Sequence, residues 1–321
     1  MRVNFMFTVG IDIGGTKISG VLLDSHDEVL ATEKVPTPAQ SSEQILASVI
    51  EMVNNLSVGR QIASVGVAAA GFIDANRAEV IYAPNLSWRN EPLKENLEKA
   101  LNLPVVIEND ANAAGWAEFR FGAGQNSKNM VMITIGTGVG GAIIADGKLY
   151  RGGFGIGAEL GHICFEPGGL ECGCGQLGCL EQYASGTALL RKAKLLAKSG
   201  SDAGAYLRGI IDEPEALTGD MVYQAIRDSD PGTLALVEEV ATDLGKALAS
   251  IAAVLDPEIV VIGGGVSALG ETILSPIRES FRENLPAAGF RPELKIVAAN
   301  LANEAGAVGA ADLARDLISQ R

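Results

Sequence analysis

Residues 9–24 read Val9-Gly10-Ile11-Asp12-Ile13-Gly14-Gly15-Thr16-Lys17-Ile18-Ser19-Gly20-Val21-Leu22-Leu23-Asp24. Val9, Ile11 and Ile13 alternate with small or polar residues, the period of a strand with one buried face. Gly14 and Gly15 break the run, and Ile18, Val21 and Leu22 resume it. Residues 7–24 are therefore expected to form a strand, a tight glycine turn and a return strand. Glycine lets a backbone come close to a phosphate, and amides in such a turn can point at its oxygens. Thr16 adds a hydroxyl donor, and Asp12 at a strand end suits Mg²⁺, held directly or through water. The loop is not a Walker A sequence. Gly10 and Gly15 have its spacing, but Thr16-Lys17 stands where Lys-Ser/Thr is required. Taken alone, the loop reads equally as an ordinary hairpin turn.

The same plan recurs. Residues 130–135 read as a strand, 136–141 as a glycine loop, and 142–145 as a return strand ending in an Asp146-Gly147 turn. Gly136-Thr137-Gly138-Val139-Gly140-Gly141 satisfies G-x-G-x-x-G, but a dinucleotide fingerprint must open a helix. Here Ala142-Ile143-Ile144 is β-like. The loop is better read as a second phosphate hairpin, with Thr137 and Gly138 as donors. The recurrence hints at two halves of one architecture. A third glycine run, Gly263-Gly264-Gly265-Val266, follows a buried strand at 259–262. There a base or ribose can lie on bare backbone, although a strand-to-helix turn accounts for it equally well.

Between these loops strands and helices alternate, which indicates an α/β chain. Helical spacing runs over 37–55, with Ser41 or Ser42 as cap and Ile45, Val49, Met52 and Val53 as the apolar stripe. Further helices are expected at 93–101, 185–198, 233–255 and 305–317. Buried strands are expected at 62–70, ending at Gly71, and at 105–107. The polar stretch 199–219 reads as a surface excursion. No low-complexity linker is present, so any boundary between domains falls inside an element or a short loop.

The chain has 321 residues, 47% of them hydrophobic, enough for a large core. Its formal charge of −14 disfavours nucleic acid and anionic membrane surfaces as partners. Residues 130–145 are the longest uncharged apolar run, short of the ~20 residues needed to span a bilayer. Asp12 arrives too early for a signal peptide. A cytoplasmic, reducing location is expected, where disulfides are unfavourable.

Two further clusters carry chemistry. Glu108-Asn109-Asp110-Ala111-Asn112 lies between a buried strand and an Ala-rich segment. Asp110 or Asn112 suits a helix N-cap. Asp110 equally suits a base at the carboxyl end of a strand, where α/β sheets bind ligands. It would take the proton of an attacking hydroxyl, with Asn109 on a neighbouring one. The second cluster is His162 with Cys172, Cys174 and Cys179. A Cys₃His set is a closed structural zinc site, and Gly173, Gly175 and Gly178 permit its tight turns. Cys164 is left over and reads as a small buried residue. Glu159 and Glu181 flank the cluster, as sugar acceptors or as plain surface acids.

Asp12–Lys17, Glu159-x-Gly161-His162 and Cys172-Gly-Cys174-Gly-x-x-Gly178-Cys179-x-Glu181 together resemble the ROK family of repressors and sugar kinases, in particular its bacterial glucokinases. Pro84-Asn85, the 108–112 segment and Gly263–Val266 fit its sugar, catalytic and adenosine segments. The resemblance implies an actin-like ATPase (ribonuclease-H-like) fold, two lobes with a central cleft. The small lobe would comprise 1–115 with 302–321, and the large lobe 116–301, with a zinc loop at about 159–181. It implies Asp110 as base, and Gly71, Asn85, Asn109, Asp110, Glu159, His162 and Glu181 on the sugar. ATP and its phosphates would fall to Asp12, Gly14, Gly15, Thr16, Lys17, Thr137, Gly138, Gly264, Gly265 and Val266. His162 would serve both zinc and sugar, one ring nitrogen each. Glucose, ATP with Mg²⁺, one zinc per chain and a homodimer or homotetramer follow from the same resemblance. N-acetylmannosamine, mannose or fructose stand as alternative sugars, and polyphosphate as a supplementary donor. Repressors of the family carry a helix-turn-helix before the first glycine loop. Only eleven residues precede Asp12, so none is expected here. A non-catalytic sugar sensor stands as the alternative class.

Overall fold

The opening hairpin forms as its alternation predicts. Strand β1 (Phe7–Ile13) pairs antiparallel with β2 (Lys17–Leu23), which sets Asp12 opposite Ser19. The computed structural model describes residues 7–301 and 304–319. Strand β3 (Val29–Pro36) extends the hairpin as a half-exposed edge that no apolar pattern announced. Helix α1 (Ser42–Leu56) starts at Ser41, whose hydroxyl accepts the Gln44 amide. Strand β4 (Ile62–Ala69) runs parallel to β1. Three short strands, β5 (Phe72–Ile73), β6 (Val80–Tyr82) and β7 (Arg89–Glu91), make a small separate sheet. Helix α2 (Leu93–Leu101) then leads to β8 (Val105–Asn109), parallel to β4.

Helix α3 (Asp110–Phe121) is followed by β9 (Met130–Ile135), β10 (Val139–Ala145) and β11 (Lys148–Leu149). The second glycine loop is shorter than expected, because Val139–Gly141 already belong to β10. Five helices come next: α4 (Glu181–Ala184), α5 (Gly186–Lys198), α6 (Ala205–Gly209), α7 (Gly219–Arg227) and α8 (Pro231–Leu255). The expected 199–219 excursion thus contains a helix, α6, with single 3₁₀ turns on either side. Its Leu207 is fully buried, which anchors the segment instead of leaving it on the surface. Strand β12 (Ile259–Gly263), helix α9 (Glu271–Asn284), strand β13 (Lys295–Ala298) and helix α10 (Ala305–Ser319) complete the chain.

The two large sheets have one plan. Their orders are β3-β2-β1-β4-β8 and β11-β10-β9-β12-β13: a hairpin with a third strand, then two strands parallel to its first. The repeat suggested by the two glycine hairpins is therefore a repeat of whole sheets.

Two compact units divide the chain. One takes the residues up to Lys128, then Ala142–Ala158, and those from Asn300 on; the other takes Asn129–Gly141 and Glu159–Ala299. The lobes expected at 1–115 with 302–321, and at 116–301, would cut α3 in two. Instead α3 stays whole in the first unit, because Ala117 packs with Ala307, Val308 and Ala311 of α10. Residues 1–6, 302, 303, 320 and 321 of the expected small lobe lie outside the described residues. In the first unit one face of the sheet packs Val9, Ile11, Ile18 and Val67 with α1 and α2. The other face receives α10. A Cβ at Gly10 would sit 1.9 Å from the Ala307 carbonyl oxygen, and one at Gly66 1.8 Å from that of Ala310. The bare glycines let the helix backbone rest on the sheet. Among the described residues, no helix is long and apolar enough to cross a membrane.

Candidate functional site

In the first unit, β1 delivers Asp12 to the glycine turn. The Gly14 amide donates to the Lys17 carbonyl at 3.0 Å and closes the turn. A neighbour that the sequence reading missed holds it there. Thr37 donates its hydroxyl to the Gly14 carbonyl at 2.7 Å and its amide to the Thr16 carbonyl at 3.0 Å. Helical spacing had assigned Thr37 to the start of α1, but it lies before the cap. Thr16 and Lys17 are exposed. Gly15 lies against Asn85, since a Cβ on it would be 3.2 Å from the Asn85 Cβ.

Strand β8 ends at Asn109 and Asp110. The N-cap of α3 is Asn109, whose side-chain oxygen accepts the Asn112 amide at 3.0 Å. The cap expected of Asp110 or Asn112 therefore belongs to its neighbour, and Asp110 is released from that duty. Asn109 Nδ2 donates to the Gly71 carbonyl at 3.1 Å and to Asp110 Oδ1 at 3.1 Å. The Ala111 amide also donates to Oδ1, at 2.9 Å. Asp110 Oδ2 takes no hydrogen bond from another described residue. Burial raises the Asp110 carboxyl above the ordinary range, against the Ala111 amide and Asn109. Burial also pushes Asp12 up to about 7; the charge of Asp110 adds to this and Lys17 opposes it. Two desolvated carboxylates, one of which raises the other, favour a proton or a cation beside them.

The second unit holds the other glycine loops. The Gly136 amide donates to the Gly138 carbonyl at 3.0 Å. The first turn of α5 pins this loop from outside: the Gly186 amide donates to the Gly136 carbonyl at 2.8 Å, and the Thr187 hydroxyl to the Thr137 carbonyl at 2.7 Å. Glu181 Oε2 accepts the Val139 amide at 3.0 Å. A Cβ at Gly138 would stand 2.2 Å from that oxygen, so only glycine leaves room for the contact. Gly264 and Gly265 are exposed beyond β12. Val266 is buried, its methyl turned toward Gly186, so its side chain packs and only its backbone is left to meet a ligand.

His162, Cys172, Cys174 and Cys179 converge, with four ligand atoms within 4.8 Å of one another. Cys174 Sγ lies 3.5 Å from Cys179 Sγ, and Cys172 Sγ 3.7 Å from His162 Nδ1. A tetrahedral ion with sulfur ligands at about 2.3 Å sets neighbouring donors roughly 3.7 Å apart, so the set fits zinc. Without a cation the thiols ionise unequally. Burial and the neighbouring thiols push Cys179 up, while burial of Cys174 is outweighed by hydrogen bonds that hold it down. Cys164 is exposed, contrary to the buried residue expected. Its backbone bridges to Cys179, but it is not one of the four converging donors. Glu159 heads the 3₁₀ turn Leu160–His162, and its carbonyl accepts the His162 amide at 3.0 Å. Glu181 adjoins the cluster too, 3.9 Å from Cys172 Sγ.

A family model described as ROK family matches residues 8–317. The chain belongs to the ROK family. A glucokinase of Streptomyces coelicolor is 46% identical over 310 residues, covering 96% of this chain and 98% of that one. The crystal structure of a ROK family glucokinase from Streptomyces griseus, in complex with glucose and AMPPNP, superposes with a TM-score of 0.87 at 47% identity, over 97% of this chain and 99% of that one. A ROK hexokinase from Thermus thermophilus gives 0.83 at 33%, over 98% and 100%. The doubled sheet plan is accordingly the actin-like ATPase fold of the ROK kinases.

Proposed function

We propose that this chain is an ATP-dependent glucokinase that makes glucose 6-phosphate. Near full-length similarity to glucokinases supports the substrate pair. The observation that carries the chemistry is Asp110, whose Oδ1 is fixed by Asn109 and Ala111 while Oδ2 takes no hydrogen bond from another described residue. A held carboxylate with one open oxygen and a raised proton affinity is poised as a general base. Oδ2 takes the proton of the glucose 6-hydroxyl as that oxygen attacks the γ-phosphorus. The new O6–P bond forms in line as the bond to the ADP oxygen breaks, and ADP leaves with the electron pair.

Gly71, Asn85 and Asn109 are assigned to sugar hydroxyls beside Asp110; Glu159, His162 and Glu181 are assigned to them beside the zinc donors. The first glycine turn, with Thr16 and Lys17, receives phosphate oxygens, and Asp12 holds Mg²⁺ directly or through water. Bound there, Mg²⁺ would supply charge neutralisation for the transferred group. Thr137, Gly138, Gly264, Gly265 and the Val266 backbone are assigned to the rest of the nucleotide. Zinc at His162, Cys172, Cys174 and Cys179 supports the fold there. With Nδ1 turned to the cluster, His162 keeps Nε2–H to donate to the sugar. The expected setting is cytoplasmic and the expected assembly a homo-oligomer.

The test is product formation from ATP, Mg²⁺ and a hexose panel. Glucose 6-phosphate is expected, with mannose, fructose and N-acetylmannosamine used less well; no phosphorylated sugar from any of them would sink the reading. For Asp110→Asn, turnover should fall by about 10²–10⁴ while glucose still binds by calorimetry. Near-normal turnover would remove Asp110 from its role.

A further inference from the structure

The residue before the catalytic pair is a buried acid with more cations than it needs for charge balance. Glu108 is 1% exposed in its side chain. Arg77 Nε lies 3.0 Å from its Oε2, and Arg151 Nε is 3.0 Å from Oε2 and 3.1 Å from Oε1. Arg151 uses its remaining donors on the Asp74 and Ala75 carbonyls, at 2.9 and 3.1 Å. That loop is itself rigid, because Asp74 accepts the amides of Asn76, Ala78 and Glu79. Its Arg77 carbonyl accepts the Ile107 amide at 3.1 Å, in the middle of β8.

Glu108 passes this anchoring to the catalytic residues. Its Oε1 accepts the Asn109 amide at 3.0 Å and Asn112 Nδ2 at 3.2 Å. Asn109 in turn fixes Asp110 Oδ1, and Asn112 lies on the first turn of α3. Stability alone does not explain the arrangement. Buried ion pairs gain little over well-packed apolar side chains once desolvation is counted, and they are best attested as devices that fix one geometry. Here the geometry fixed is the junction of β8 and α3, from which Asp110 projects.

We propose that Glu108, clamped by Arg77 and Arg151, is a positioning residue that sets the orientation of Asp110 for proton abstraction. The inference rests on the kinase reading, and wild-type turnover separates the two: an inactive wild type would overturn that reading, whereas an active one isolates this. Misplacement of a reacting group by about 1 Å costs up to about a hundredfold in rate. In Arg151→Ala, kcat per folded molecule should fall about tenfold or more, with the KM for ATP unchanged and that for glucose within about threefold. Added guanidinium should restore much of the loss, because it re-pairs Glu108. Glu108→Gln keeps the shape and one acceptor, and should lower kcat without guanidinium rescue. If either variant folds poorly, Arg151→Lys serves instead; it keeps the charge but cannot bridge both carbonyls, and kcat should again fall. The proposal is overturned if kcat per folded molecule is normal in these variants. It is equally overturned if losses appear only in the glucose KM, or if they follow the fraction unfolded and guanidinium changes nothing.

Discussion

Asp12 and Asp110 lie at the ends of β1 and β8, with β4 between them in the sheet of the first unit, and the charge of Asp110 makes Asp12 harder to ionise. A carboxyl raised from 3.8 to about 7 stabilises the fold below its ordinary range and loses that contribution as pH rises through the higher value. The ligand-free protein should therefore lose melting temperature between about pH 4 and about pH 7, and Asp12→Asn should flatten the slope in that window. Scanning calorimetry across the interval checks the sign; an unchanged slope would mean Asp12 does not titrate there. The convergence of His162, Cys172, Cys174 and Cys179 and the first glycine turn were legible in the sequence, because their residue types are rare together and their spacing has a chemical reason. Thr37 and Arg151 were not. Thr37 is a plain threonine ahead of a helix cap, and Arg151 lies far along the chain from Glu108, so neither contact leaves a local pattern.

The fourth helix shows how one residue serves two parts of the second unit. Glu181 opens α4, adjoins Cys172 and accepts the Val139 amide at 3.0 Å, so it ties the metal cluster to the second glycine loop. A residue that only touched sugar would, on truncation, raise only the glucose KM. Glu181→Ala should raise the KM for glucose and for ATP together, by about tenfold or more, since a buried amide left without its acceptor costs about 1–3 kcal/mol. Steady-state kinetics with each substrate varied settles it; an unchanged ATP KM would confine Glu181 to the sugar. Elements with strong periodicity, such as α2 and α8, were read nearly to their ends, whereas α1 was begun too early, at Thr37 instead of Ser42. Strand β3 and the small sheet of β5, β6 and β7 escaped, since half-exposed and two- or three-residue strands carry too few apolar positions to show a period. The Ala-rich composition of α10 marked a helix but not its reason, which is the close seat on Gly10 and Gly66.

At the scale of the molecule, the repeated strand order was foreshadowed only by its two glycine hairpins. Pairing across distant segments is invisible to local pattern, and so was the return of Ala142–Ala158 to the first unit. Zinc held by His162, Cys172, Cys174 and Cys179, as proposed, would make the second unit depend on metal. Chelation of zinc should abolish glucose phosphorylation and lower the melting temperature by several degrees, at roughly 2–4 °C per kcal/mol for domains of this size. Metal analysis alongside calorimetry checks both, and a zinc-free protein with full activity would refute the site. The placement of α10 has a consequence for biosynthesis. Chains fold as they are made, and domains that are complete early fold first. The second unit is finished once Ala299 has emerged, but the first, although begun at β1, lacks the helix that covers Gly10, Gly66 and Ala117 until the last stretch is synthesised. A nascent or prematurely terminated chain thus carries an uncovered apolar sheet face, and that face is where chaperones would hold it and proteases would find it.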